Sequence, residues 1–161
     1  WFGDYVTMKW FDDVWTKEVF ANYFASRIVE PLYPDVNHRL NFIRDYIPAS
    51  YSEDRTSGAN PIKQDLDNLR NAGLVYGNII YDKSPVIMEM LVRVLGEDAF
   101  QQGIREYLTT YAYGNATWEG LIRILNKYTE EDLAAWSEVW VNQKGMWNGF
   151  GRNPGFSRRK L

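Results

Sequence analysis

The chain has 161 residues, of which 45% are hydrophobic and 16% aromatic, with a formal net charge of −3 and no cysteine. This length predicts one domain with a sizeable core, and the aromatic content excludes a disordered chain. The acidic balance disfavours nucleic acid as a partner, the absence of cysteine excludes disulfides and thiolate metal sites within this chain, and no apolar run approaches the roughly twenty residues of a membrane span.

The first predicted helix covers residues 13 to 30. Its apolar side chains recur at spacings of three to five residues, as on the buried face of a helix; they are Trp15, Val19, Phe20, Tyr23, Phe24 and Ile28. Asp12 or Asp13 is expected to cap the helix, an interpretation preferred to a catalytic carboxylate pair. Pro31 is expected to end it.

A second helix is predicted between Asp35, as its N-cap, and Pro48, as its end. An apolar stripe marks one face; it consists of Val36, Leu40, Ile43 and Ile47. His38, the only histidine of the chain, falls on the polar face and is expected to lie at the surface. The polar stretch from residue 49 to 63 predicts the longest loop.

Helical patterns resume from residue 64. One helix is expected to have Ser84 as its cap, Pro85 at its first position and Gly96 as its terminator. The next helix is predicted from about Glu97 to Gly114, with an apolar face at Phe100, Ile104, Tyr107, Leu108 and Tyr111.

Two further helices are predicted after residue 114. Thr117 is expected to cap the first, and Thr129 the second, with Asp132 completing a capping box. No stretch alternates in the manner of a strand. The sequence therefore predicts an all-α antiparallel bundle over residues 1–150, followed by an irregular tail over 151–161 whose basic run is a solvated end.

Glu18 is a carboxylate within a predominantly apolar helix. Its neighbours at three and four residues include no cation, and Lys17 projects about 100° away, so no ion pair along the helix is expected. Ala21 and Ala25 are small enough to let another element approach that side. Three interpretations remain open on the residues alone: a solvated edge position, a buried hydrogen-bonded carboxylate, or a metal ligand.

The stretch "WFGDYVTMKWFDDVWTKEVFANYF" resembles the segment that follows the zinc-binding HExxH helix in the aminopeptidase N family of gluzincin metallopeptidases. That family continues with a W-x-x-E-x-F-A helix, which Trp15 to Ala21 matches. In that family eighteen residues separate the second histidine from the glutamate, and seventeen residues precede Glu18 here. The resemblance implies that the chain begins just after HExxH, with one residue between that histidine and Trp1.

A second motif supports the resemblance. The family's Y-x-K-G segment corresponds to "YDKS" from Tyr81, and "WVNQKG" from Trp140 to Gly145 resembles the W-x-x-Q-x-G that ends the catalytic domain. The sequence departs from the pattern at Lys17 and Val19, at Ser84-Pro85 and at Trp147. The departure at Ser84-Pro85 bears on the geometry around Tyr81.

The resemblance implies an activity and a site. The fold would be the C-terminal helical part of a thermolysin-like catalytic domain, and the activity removal of N-terminal residues from peptides. Glu18 would be the third zinc ligand, Tyr81 would stabilise the oxyanion, and Tyr76 would contact the substrate. The two histidine ligands of the zinc lie outside this chain, so we expect the chain alone to be inactive.

The same resemblance implies two partners, which are a peptide substrate and the remainder of the catalytic domain. Apolar faces left uncovered in the isolated chain would favour self-association. The rival interpretation is a helical protein-interaction module or an inactive relative of the family. The residues encoded directly before Trp1 discriminate between the two, because only an active member would have HExxH there.

Overall fold

The computed structural model describes residues 2–145, apart from the side chain of Leu74. Trp147 and the tail predicted over 151–161 lie outside the described residues. The helices and strands of the described part, in chain order, are β1 Val6–Met8, α1 Val14–Val29, α2 His38–Asp54, α3 Ala72–Val75, α4 Ser84–Leu95, α5 Glu97–Thr110, β2 Gly114–Ala116, α6 Trp118–Leu125 and α7 Leu133–Ser137. Two π-helical turns also occur, at Ile79–Lys83 and Glu138–Asn142.

The all-α class is confirmed, with one local difference. Strands β1 and β2 pair in parallel, with Val6 opposite Gly114 and Met8 opposite Ala116. The expectation of no strand was wrong because three residues are too few to show an alternating pattern. The exposed Asn115 side chain supports the pairing by donating hydrogen bonds to Thr7 Oγ1 (2.7 Å) and to the Met8 carbonyl (3.1 Å).

The core lies where α1 packs against α4, and α5 against α6. The Trp15 and Trp118 rings are both buried and approach to 4.6 Å between centroids. The apolar face predicted for α5 is confirmed at its fully buried positions, Phe100, Ile104 and Tyr107. On α1 the predicted face ends early, because Ile28 is 64% exposed within the described structure.

Some of the predicted capping residues are confirmed at the helix ends. Gly96 ends α4 with a φ of +84°, a conformation that glycine adopts without strain. Thr117 caps α6 by accepting a hydrogen bond from the Gly120 N–H at 3.1 Å. Ser84 was predicted as the cap of α4 but is its first residue; its hydroxyl donates instead to the Ile80 carbonyl.

Two other caps differ from prediction by a few residues. Asn37, and not Asp35, caps α2 by accepting from the Leu40 N–H at 2.9 Å. Asp132 itself caps α7 by accepting from the Ala135 N–H at 2.9 Å, so the capping box from Thr129 was wrong. In both cases an Asn or Asp next to the helix displaced the more distant candidate.

Asp13 occupies the N-cap position of α1 but does not cap it. Its carboxylate is buried and accepts a hydrogen bond at 3.2 Å from the N–H of Trp118, the first residue of α6. Lys63 lies 3.3 Å from the same carboxylate and also pairs with Glu119 at 2.6 Å. Asp13 therefore joins α1 to the N-terminus of α6, where a helix favours negative charge.

Helix α2 continues through Pro48, although this residue was predicted to end it. Proline removes one backbone hydrogen bond, which tertiary contacts must offset. Beyond Pro48, Ser50 and Asp54 are buried, and Asp54 forms an ion pair with Lys83. The predicted loop therefore begins only after Asp54.

Most of the apolar stripe predicted for α2 faces outward in the described structure. The exposed apolar side chains around this region are Ile28, Val29, Leu32, Tyr33, Val36, Leu40 and Ile43. His38 is half-buried, and one of its ring nitrogens lies 2.8 Å from the Tyr33 carbonyl oxygen. Among the described residues, no helix is both long and apolar enough to cross a membrane.

Gly103 marks the closest approach of α5 to α6. A Cβ placed there would lie 2.5 Å from Leu125 Cδ2, whereas a Cβ at Gly73 would meet nothing within 4 Å. We expect Gly103→Val to lower the free energy of unfolding by about 1–3 kcal/mol through overpacking. The matched Gly73→Val should change it by less than about 0.5 kcal/mol. Urea unfolding would measure both, and equal effects would contradict the close packing.

Candidate functional site

Glu18 lies at the edge of the buried face of α1. Trp15 and Val19, on one side of it, are fully buried, whereas Ala21 is exposed on the other. The Glu18 side chain is 27% exposed. The element expected to cover Ala21 and Ala25 is not among the described residues, so this side of the helix faces outward.

Lys17 contacts Glu18, contrary to the sequence-based expectation. Its Nζ lies 3.6 Å from Glu18 Oε1. The two Cβ atoms do diverge, but the flexible four-carbon stem of lysine lets the ammonium bend back toward its neighbour. A partly exposed pair at this distance contributes little stability, about 0–1 kcal/mol, and leaves the carboxylate free to accept a stronger partner.

Tyr81 lies at the centre of the π-helical turn Ile79–Lys83, directly before α4. Such turns are rare and recur at functional sites. The Tyr81 side chain is 39% exposed, and its ring stacks with that of Tyr76 at 6.2 Å between centroids and 26° between planes. The structure thus brings Tyr76 and Tyr81 together on one surface.

The negative charge of Glu18 also acts on the Tyr81 hydroxyl. Desolvation raises the pKa of the Tyr81 hydroxyl, the negative charge of Glu18 raises it further, and the positive charge of Lys17 acts in the opposite direction. The hydroxyl therefore keeps its proton at neutral pH and can donate a hydrogen bond. Tyr81 is therefore in ring contact with Tyr76 and within electrostatic influence of Glu18.

Behind this surface lies a buried ion pair that the sequence did not reveal. Lys83 and Asp54 are 5% and 2% exposed, and Lys83 Nζ donates to Asp54 Oδ1 at 2.8 Å. Gly145 closes the cluster, since its N–H donates to Asp54 Oδ1 at 3.1 Å and its carbonyl accepts from Lys83 at 3.4 Å. The available signal was the lysine of the Y-x-K-G pattern, but nothing marked its burial or its partner.

The described residues hold no group of three or more His, Cys, Asp or Glu side chains arranged to bind a metal ion. Glu18 nevertheless fits one position of such a site. Its carboxylate is half-buried, and its ion-pair partner among the described residues is the partly exposed Lys17 at 3.6 Å. This chain therefore offers one carboxylate ligand and not a complete metal site.

The helical fold and the Glu18–Tyr81 surface together fit the helical part of a metallopeptidase catalytic domain. The chain belongs to peptidase family M1, because the M1 peptidase domain matches residues 1–140. This finding confirms the family expected from the two sequence motifs.

Individual relatives agree with the family match. The puromycin-sensitive aminopeptidase of Caenorhabditis elegans is 32% identical over 146 residues, which cover 91% of this chain and 15% of the relative. Aminopeptidase M1-B of Oryza sativa subsp. japonica is 31% identical over 145 residues (90% and 16%), and aminopeptidase N of Streptomyces lividans is 30% identical over 148 residues (91% and 17%). The chain spans about a sixth of the length of these relatives.

The two carboxylates near the site should differ sharply in their effect on stability. Asp54→Ala would leave the Lys83 ammonium buried without its partner, so we expect a loss of about 3–5 kcal/mol in the free energy of unfolding. Glu18→Ala removes only a half-exposed ion pair and should change it by less than about 1 kcal/mol. Urea unfolding in the presence of a chelator, which removes any contribution from bound metal, would measure both. Equal losses would contradict the assignment of Asp54 as structural and Glu18 as free.

Proposed function

We propose that this chain is part of the catalytic domain of a zinc aminopeptidase, which removes N-terminal residues from peptides. The observation that supports it most directly is the placement of Glu18 and Tyr81 on one outward-facing surface, within a chain that belongs to peptidase family M1. The relatives named above are aminopeptidases, which favours this specificity over other peptide hydrolysis.

Glu18 is the proposed zinc ligand of this chain. A catalytic zinc site takes three protein ligands, two histidines and a carboxylate in this class, and leaves a position open. The histidines would come from the HExxH helix, which is not in this sequence. The uncovered side of α1 at Ala21 and Ala25 is the side on which that helix would approach.

When bound, zinc supplies Lewis acidity that polarises the scissile carbonyl and lowers the pKa of a water molecule. The proposed role of Tyr81 is to donate its hydroxyl proton in a hydrogen bond to the oxygen on which negative charge develops. Its raised pKa suits this role, because the donor stays protonated while remaining partly exposed to substrate. Such a donor is worth about 3 kcal/mol of transition-state stabilisation.

Tyr76 is proposed to contact the substrate. It stacks against Tyr81 and is half-buried, so its ring presents one apolar face beside the reacting position. A ring in this place would limit the rotation of Tyr81 and flank the peptide that enters the site.

The remainder of the catalytic domain is the proposed partner of the exposed apolar faces. Ile28, Leu32 and Leu40 are each more than half exposed within the described residues. An apolar groove of about 460 Å³ also opens between α1 and α5, beside Phe24 and Leu108. In the isolated chain the same surfaces would promote self-association.

Glu18→Ala in the full-length protein should abolish stoichiometric zinc and peptidase activity together, because the substitution removes the only carboxylate ligand. Metal analysis after dialysis would measure the zinc content. Glu30→Ala, which removes an exposed glutamate next to the end of the same helix, is the matched control and should keep both. Full zinc occupancy in the Glu18→Ala protein would refute the ligand assignment.

Tyr81→Phe should keep its zinc and lower kcat by about 100- to 1,000-fold, because the ring remains and only the donor is lost. Turnover of an aminoacyl anilide would measure the loss. Tyr113→Phe removes the hydroxyl of a tyrosine that is almost fully exposed and should leave turnover unchanged. Near-normal turnover by Tyr81→Phe would exclude Tyr81 from the reaction.

A further inference from the structure

The buried pair of Lys83 and Asp54 connects three segments that are distant in sequence. Lys83 belongs to the π-helical turn of Tyr81, Asp54 is the last residue of α2, and Gly145 follows the second π-helical turn. The hydrogen bonds among them span 2.8–3.4 Å. Gly145 has a φ of +83°, a left-handed conformation that places both its N–H and its carbonyl toward the pair at no steric cost.

The turn that holds Tyr81 is fixed from both ends. At its start, the N–H groups of Ile80 and Tyr81 both donate to the Gly77 carbonyl, at 2.9 and 3.0 Å. At its end, Lys83 is held by Asp54, and Ser84 donates its hydroxyl to the Ile80 carbonyl. Between these anchors Tyr81 is the most exposed residue of the turn, since Asp82 is half-buried and Ile79, Ile80 and Lys83 are all buried.

Stability alone is a weak reason for a buried ion pair. Removing two charges from water is costly, and well-packed apolar side chains of similar volume are often equally stabilising or more so. An ammonium differs from an apolar group because it donates directional hydrogen bonds, here to Asp54 and to the Gly145 carbonyl. A charged pair in this place therefore specifies the orientation of the turn more narrowly than apolar packing would.

We propose that Asp54 and Lys83 are positioning residues for Tyr81, holding the π-helical turn so that the tyrosine side chain stays at the surface beside Tyr76. The inference rests on the proposed function, because it assigns the pair to the reaction through Tyr81. Neither residue touches the substrate, and their effect reaches the reaction through the backbone between residues 81 and 83.

The test combines two substitutions at the pair with one at Tyr81, in the full-length protein. Lys83→Met removes the ammonium, and the double variant Asp54→Leu/Lys83→Met removes both charges, so that no unpaired charge stays buried. We expect each to keep zinc and to lower kcat for an aminoacyl anilide by about 10- to 100-fold, because a displacement of about 1 Å is enough for such a loss. KM should stay within about threefold.

The decisive measurement repeats these substitutions in a Tyr81→Phe background. If the pair acts through the tyrosine hydroxyl, removing it should cause no further loss of kcat once that hydroxyl is gone. Independent, multiplying losses would overturn the proposal, as would unchanged kcat in the double variant. Failure of both pair variants to fold would also overturn it, because the role of the pair would then be stability.

Two controls separate the possible failures. Lys127→Met removes a lysine of the exposed ion pair with Glu106 and should leave kcat unchanged in both backgrounds. Near-normal turnover by Tyr81→Phe alone would instead refute the role of Tyr81 in the proposed function. That outcome differs from multiplying losses, which would refute only the positioning role of the pair.

Discussion

The rotation of helix α1 about its own axis is the constraint on which the rest of the structure depends. Trp15 and Val19 must be buried, and their burial against α4 and α6 fixes which way every other side chain of the helix points. Glu18 then lies between this buried face and the uncovered Ala21. A carboxylate at such a boundary is partly dehydrated yet still accessible, which suits a group that binds a cation from outside the chain.

Two buried charge clusters fix the relative positions of the segments around α1. Asp13 lies between Lys63 and the N-terminus of α6; desolvation raises the pKa of Asp13, while Lys63 and the Trp118 N–H act in the opposite direction. Asp54 and Lys83 join α2 to the turn before α4. Each cluster links residues far apart in sequence through directional hydrogen bonds that apolar contacts lack, although one oxygen of each carboxylate has no hydrogen-bond partner among the described residues. The helical core supplies most of the stabilisation, while these clusters determine which ends of the helices meet.

Residue types and their spacing predicted which segments are helical more accurately than where each helix begins and ends. Gly96 and Thr117 act within one turn of their helices, so their roles were visible in the sequence. The continuation of α2 through Pro48 and the turn of Asp13 toward α6 both depend on partners from distant segments. Neither partner leaves a periodic signal, because a single buried charge pair involves one residue from each segment. The short strands were missed because three residues are too few to form a pattern.

The candidate site shows the same division between local and distant information. The two sequence motifs identified Glu18 and Tyr81 by residue type and spacing. Spacing alone does not predict that a helix and a π-helical turn bring the two residues to one surface. That arrangement depends on α1 packing against both the turn and α4. Lys83 is the last residue of that turn, and a turn with one more residue than an α-helical turn changes the direction of the side chain at its centre. A π-helical geometry at Tyr81 therefore needs support from outside the turn, and the buried carboxylate of Asp54 provides a directional contact of this kind.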